Sequence, residues 1–315
     1  MTRVVTLEQI KRAIDPARVI AALEDGFVAY SEGRAVVPPV GHLDFDDPPG
    51  DCHIKCGFIS GDEHFVVKVA TGFYRNPERG LSSSNGLMLV FSRKTGNPDA
   101  VLLDQGWLTD LRTAAAGAIA AKYLAPRGLE KIGIVGTGIQ ARLQLEWLGH
   151  VSECREAMVW GRNPEKAHLY RKDMASIGFT VALAPSIADL CDACNLIVTT
   201  TPARTPLIHS AEIRPGTHIT AVGADGGGKQ ELEAELFRIA DLRVVDSLAQ
   251  CSKYGASSYA LRAKLIDEEE FVELGRLIRC PELRRRNDRQ ITIADLTGVA
   301  VQDIRIARLV TESLA

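Results

Sequence analysis

The segment "KIGIVGTGIQARLQLEWL" (residues 131–148) constrains the fold more than any other part of the chain. A short apolar run ends in Gly136-x-Gly138-x-x-Ala141, and a helix-like run follows without a break. In a strand–turn–helix setting, Gly136 permits the tight turn, Gly138 lets the backbone approach a pyrophosphate, and Ala141 lets helix and strand pack closely. The helix start then turns its unpaired N–H groups toward the phosphates. Downstream, strand-like and helix-like runs alternate: "EAMVWG", "PEKAHLYRKDMASIG", "TVALA", "SIADLCDAC", "LIVTTT", "THITAVG", "RVVDS". Such alternation specifies a parallel sheet with helices on both faces. The expected fold class is α/β, built on a Rossmann dinucleotide-binding domain.

The chain before this segment has a different rhythm. "TLEQ" offers a capping box from Thr6 to Gln9. "DPARVIAALEDGFVAYSEG" has Asp15 as cap, Pro16 in the first helical position and Gly33 beyond the end. The opening stretch therefore reads as helices. From about residue 40 to 103 come short β-like runs, "GHLDF", "CHIKCGFI", "HFVVKVATGFY", "GLMLVFS" and "DAVLLD", with a hairpin turn at "SRKTGN". They predict an antiparallel or mixed sheet, followed by the alanine-rich helix "TDLRTAAAGAIAAKYLA".

Several function classes are excluded. A net charge of -3 among 315 residues argues against nucleic acid or an anionic membrane as partner. There is no apolar run of about 18 residues and no signal-peptide core near the start, so a cytoplasmic protein is expected. Seven cysteines, an odd number, fit reduced thiols. "CDAC" (Cys191, Cys194) has redox or metal spacing, but no second pair or histidine completes a ligand set; it reads as packed thiols, and no metal is expected.

A nicotinamide dinucleotide is the expected cofactor, with Gly136, Gly138, Ile139 and Gln140 at its phosphates. Thr200, Val222, Gly223 and Gly298 are further candidate contacts. Where an NAD enzyme usually places an acid for the ribose, the second strand ends in Gly161 and Arg162. Arg162 can pair with a 2′-phosphate or stack on adenine, so NAD(H) and NADP(H) both stand, with a lean to NADP.

In "AVGADGGGKQEL" (221–232), Asp225 sits among four glycines after an apolar run. Together with "LTDLRTAAAGAIAAKYLA", "IGIVGTGIQA" and "ITIADLTGVAVQD", this stretch resembles the ornithine cyclodeaminase/μ-crystallin family over nearly the whole chain. The resemblance implies a homodimer. Its substrate-binding and dimerisation domain would comprise residues 1–122 with 299–315, and a Rossmann domain would span 123–298. It implies an NAD(P)-dependent oxidoreductase acting on an amino or imino acid. By motif, Lys68 in "VVKVATG" matches the family's lysine at the substrate carboxylate and reacting centre. Arg112 in "DLRTAA" matches the carboxylate-binding arginine, with Thr113 implied beside the cofactor, and Asp225 matches the catalytic acid. The chemistry suits these types: cations orient a carboxylate, and an acid stabilises or protonates the nitrogen. Each has a plainer alternative: a solvated strand lysine, a surface helix arginine, an Asx turn.

One position separates this chain from the cyclodeaminases, which place a glutamate thirteen residues before the motif lysine. Here that count falls on Lys55 in "CHIKCG". A lysine there repels an ornithine ammonium and attracts a second carboxylate. His53, two residues earlier on the same strand face, supports the same group, with His42 and Asn85 as further substrate candidates. These features point to a small dicarboxylic substrate, most economically iminosuccinate reduced to L-aspartate. The segment "GHLDF…CHIKCGF…VVKVATGFY" also looks like the subgroup of iminosuccinate reductases and ectoine-utilisation proteins. The alternatives are an ornithine cyclodeaminase, an alanine-type dehydrogenase, and a non-catalytic NADPH-binding crystallin-like protein.

Overall fold

The computed structural model describes residues 2–73 and 75–314. The chain divides into two compact units, Met1–Arg112 with Val299–Ala315, and Thr113–Gly298.

The first unit begins with β1 (Arg3–Thr6), α1 (Leu7–Ala13), α2 (Pro16–Ser31) and β2 (Ala35–Val36). β3 (Gly41–Asp46), β4 (Pro49–Ile59), β5 (His64–Gly72), β6 (Ser84–Ser92) and β7 (Pro98–Leu103) follow, then α3 (Trp107–Leu124). The expected caps form: Gln9 N donates to Thr6 Oγ1 while Thr6 N donates to Gln9 Oε1, and Arg18 N donates to Asp15. β1 is a departure from the helical opening read in the sequence. Its four residues pair in parallel with β7 and bury Val5. So short a run, leading directly into a capping box, has no periodicity of its own to read.

The sheet order is β1-β7-β6-β5-β4-β2, with β3 on β4. The pleat sends alternate side chains to opposite faces. Lys55, Lys68, Met88 and Leu102 are cross-strand partners and share one face. Ile54, Leu43 and Leu103 belong to the other face, and all three are exposed. Residues 300–313 form the last helix of the chain, numbered below, and it packs on β4, β5 and α2.

The second unit continues with β8 (Ile132–Val135), α4 (Ile139–Leu148), β9 (Glu156–Trp160), α5 (Pro164–Ala175), β10 (Thr180–Leu183) and α6 (Ile187–Ala193). Then come β11 (Leu196–Thr199), β12 (His218–Ala221), α7 (Ala234–Ile239), β13 (Leu242–Val245), α8 (Leu248–Tyr254) and α9 (Ser257–Arg262). β14 (Phe271–Glu273), α10 (Leu274–Arg279) and β15 (Thr292–Asp295) complete it, and α11 (Ala300–Ser313) returns to the first unit. Its eight strands are all parallel, in the order β10-β9-β8-β11-β12-β15-β13-β14. Leu196 and Val198 join one apolar core and Ile197 another, so both faces are covered, as a buried parallel sheet requires. The order reverses at β8, which makes the carboxyl end between β8 and β11 the switch point of a Rossmann-type sheet.

The unit boundary falls at Arg112/Thr113, ten residues before the one read from the sequence, and inside α3. The cause is close packing of the alanine-rich half of that helix. Ala121 joins the core of the second unit, and Gln144 of α4 donates to the Thr113 carbonyl at 3.1 Å.

Candidate active site

In the first unit, three elements bring ionised groups together out of water. Lys68 on β5, Arg112 on α3 and Asp303 on α11 are all buried. Lys68 Nζ lies 3.1 Å from both Asp303 oxygens. Arg112 Nε donates to Asp303 Oδ1 at 3.1 Å, and its Nη1 donates to Gln302 at 2.6 Å. Two buried cations thus share one carboxylate. Burial pulls the Lys68 ammonium down to about 7, Arg112 adds to the fall, and Asp303 opposes it. Burial alone would raise the Asp303 carboxyl, but Lys68, Arg112 and Lys55 hold it below its ordinary range.

Lys55 is the direct cross-strand partner of Lys68 on β4 and is half-buried. Like charges placed opposite each other destabilise a sheet unless an anion offsets them, and both lysines act on the Asp303 carboxylate. On the same face His53 follows two residues away, and His42 on β3 lies opposite His53. The two rings meet edge to face with centroids 4.5 Å apart. His42 Nε2 sits 2.8 Å from Asp44, and His53 Nε2 3.6 Å from Asp51. A strip of Lys68, Lys55, His53 and His42 therefore crosses three strands. Asn85 is a correction to the sequence reading. It pairs with Thr71, so the pleat turns it to the face opposite Lys68, and its side-chain oxygen accepts from Gly86 N at 2.8 Å.

In the second unit, the candidate cofactor residues collect at the carboxyl edge of the parallel sheet. Gly136 follows β8 with φ +125°, and a Cβ there would stand 2.5 Å from Thr200 Oγ1. Gly138 caps α4 without a side-chain bond and has open space beside its Cα. Ala141 is fully buried, while Ile139 is exposed and Gln140 half-buried. Arg142 donates to the carbonyls of Thr137 and Gly138 and is itself held by Asp173 at 2.8 Å, so it braces the glycine turn. Thr200 follows β11, Val222 and Gly223 follow β12, and Gly298 follows β15 with φ +80° and its N–H donating to Asp246 at 2.6 Å. These residues fit a dinucleotide laid on this edge: an unblocked helix start, a turn too tight for a side chain, and no acid at the two positions directly after β9, Gly161 and Arg162. Gly161 leaves no room for one, since a Cβ would stand 2.5 Å from Thr137 Cγ2, and Arg162 beside it is exposed. Thr113, whose carbonyl accepts from Gln144 of α4, belongs to the same unit.

Asp225 stands in the loop after β12, where Lys229 Nζ donates to it at 2.6 Å. Glu231, at the end of the same loop, is fully buried; burial pushes its carboxyl up to about 7 against the hydrogen bonds it accepts. The Cys191 and Cys194 thiols are buried and pushed up to about 12 by that burial, as packed thiols are.

Asp303, Glu231 and Arg142 were not singled out in the sequence, although all three lie inside quoted segments. A signal existed for Asp303: a charge at a core position, between Val301 and Ile304, in a helix otherwise apolar on that side.

Comparison with known proteins agrees with this architecture. The family model of the ornithine cyclodeaminase/mu-crystallin family matches residues 1–315. A relative named as an uncharacterized cyclodeaminase, from Sinorhizobium fredii, is 40% identical over 293 residues, covering 92% of this chain and 88% of its own. An archaeal alanine dehydrogenase dimer with bound NAD superposes with a TM-score of 0.91 at 34% identity, over 99% of this chain and 95% of its own. The iminosuccinate reductase of Paracoccus denitrificans in complex with NAD+ superposes with a TM-score of 0.90 at 29% identity, over 99% and 96%.

Proposed function

Because this chain belongs to the ornithine cyclodeaminase/mu-crystallin family, we propose that it is an NAD(P)H-dependent imine reductase that converts iminosuccinate, a small dicarboxylic imino acid, to L-aspartate. The observation that carries the reading is the gathering of three cations at one sheet face. Lys68 and Arg112 share a single buried carboxylate, and Lys55 stands directly across from Lys68. Lys68 and Arg112 take the α-carboxylate; Lys55, with His53 and His42 beyond it, takes the second.

The carboxyl edge of the second unit binds the dinucleotide, and two similar structures hold NAD and NAD+. The reduced nicotinamide supplies the hydride to C2 of the imine. The nitrogen gains a proton, and Asp225 holds that proton or stabilises the cation that receives it. Arg162 suits either dinucleotide. The protein works as a homodimer in the cytoplasm: the exposed apolar face of the first sheet is available to a second copy, and the archaeal relative is a dimer.

The cyclodeaminase reading asks for an acid where Lys55 stands. An ammonium brought within about 4 Å of that lysine meets a repulsion of about 4 kcal/mol at a surface-like dielectric. The test is NAD(P)H oxidation with iminosuccinate generated in situ, run beside ornithine with catalytic NAD. Rapid oxidation with L-aspartate as product is expected, with Lys55→Glu losing about 100-fold or more in kcat/KM. Proline formed from ornithine without net cofactor turnover would replace this reading with the cyclodeaminase one.

A further inference from the structure

Two loops leave neighbouring strands at the carboxyl edge of the second unit. One, after β11, carries Thr200; the other, after β12, carries Asp225. A single buried side chain ties them. Glu231 Oε2 accepts from Thr199 Oγ1 at 2.7 Å and from Gly223 N at 2.8 Å. Its Oε1 accepts from Thr201 N at 2.5 Å and Thr201 Oγ1 at 2.8 Å. The fit is close: a Cβ on Gly223 would stand 2.6 Å from both Glu231 Oε2 and Thr201 N, so that glycine is what lets the carboxylate in. The backbone closes the same junction, with Gln230 N donating to Ala203 O and Leu207 N to Glu231 O, both at 2.7 Å. Between the tied ends, Gly226, Gly227 and Gly228 have almost nothing within reach of a Cβ, and Asp225 is joined to Lys229 within the same loop at 2.6 Å, so the loop's place on the sheet edge depends on its tied ends.

We propose that Glu231 is a positioning residue of the reaction: its carboxylate fixes both ends of the Asp225 loop to the loop that bears Thr200, and so sets where Asp225 stands relative to the bound dinucleotide. The proposal rests on the reading of Asp225 as the acid of the reaction. An aligned group displaced by about 1 Å loses about 100-fold in rate, so this tie governs kcat rather than stability alone.

Three variants of the full chain test it, with NADH and iminosuccinate as reactants and hydrogen exchange of the peptide spanning residues 222–232 as a substrate-free readout. Glu231→Gln keeps the size but replaces one acceptor oxygen by a donor facing N–H and O–H groups. It is expected to exchange that peptide about 10-fold or more faster, and to lower kcat about 100-fold with KM changed less than about threefold. Asp225→Asn is expected to lose kcat while the peptide exchanges as in the unaltered protein. Thr201→Val removes one of the four hydrogen bonds, and it shows the same loosening and loss in smaller measure even where Glu231→Gln does not fold. Unaltered kcat in Glu231→Gln, or in Thr201→Val where it is the variant that folds, overturns the tie as a positioning device whether or not the peptide loosens. So does a fall in melting temperature with kcat per folded molecule intact. Full activity in Asp225→Asn would instead overturn the reading of Asp225, whatever Glu231 does.

Discussion

Lys68 carries a charge in a place that resists it. Burial and the neighbouring Arg112 bring its ammonium to about 7 from an ordinary 10.5, so the cation is complete below pH 7 and is lost as pH rises through that value. In the function proposed above the substrate carboxylate binds this cation, and kcat/KM reports the free enzyme. A pH profile of kcat/KM for iminosuccinate is therefore expected to fall above about pH 7. Stability has its own window: between about 7 and 10.5 the unfolded chain binds the extra proton, so this group's contribution rises with pH there and is flat below. Asp303 carries the opposite stake. Asp303→Asn leaves two buried cations without their anion and is expected to lower the unfolding free energy by about 3–5 kcal/mol in urea denaturation. Lys68 and Arg112 were legible because each lies in a short motif. Asp303 was not, because its role exists only when a helix 235 residues further on comes back to β5.

Packing within elements shows the same division between what a local pattern can and cannot reveal. The alanine-rich composition of α3 forecast a close approach, and the helix is buried at Ala114, Ala115, Ala116, Ala118 and Ala120. What it approaches was not legible. Gly117 receives the Gln144 side chain of α4 inside the space a Cβ would take, and Gln144 is itself fully buried. Gly117→Ala is expected to cost about 1–3 kcal/mol by overpacking, read as a lower melting temperature. At the start of α4, Arg142 braces the glycine turn through two carbonyls. Arg142→Ala is expected to weaken NADH binding about 5- to 10-fold, measured by fluorescence titration, because the turn loses its fixed shape before the ligand arrives. The glycine spacing announced a dinucleotide turn, but an arginine one residue past the motif announces nothing until its partner Asp173 is seen. Asn85 fell on the wrong face for a related reason. A serine- and glycine-rich run gives no alternation from which the pleat can be counted.

For the molecule as a whole, the open face of the first sheet is the feature to test. Val4, Leu43, Phe45, Ile54 and Leu103 are all exposed on it. On the proposal that this face joins two copies, replacing Leu43 and Ile54 together by Asp is expected to give a monomer in sedimentation equilibrium where the unaltered protein gives a dimer, since burying two carboxylates in an apolar contact is costly.

The first unit is also a matter of timing. It is made from both ends of a chain whose middle is a different unit, and α11 carries the anion that its two buried cations share. Synthesis runs at about 5–20 residues per second, so Asp303 leaves the ribosome roughly 10 to 50 s after Lys68. For that interval the sheet of the first unit has neither its covering helix nor its counter-charge, while every strand of the parallel sheet is being made. The unit begun first is therefore the one finished last, and a nascent chain stalled before residue 300 exposes an unfinished sheet face to chaperones and proteases.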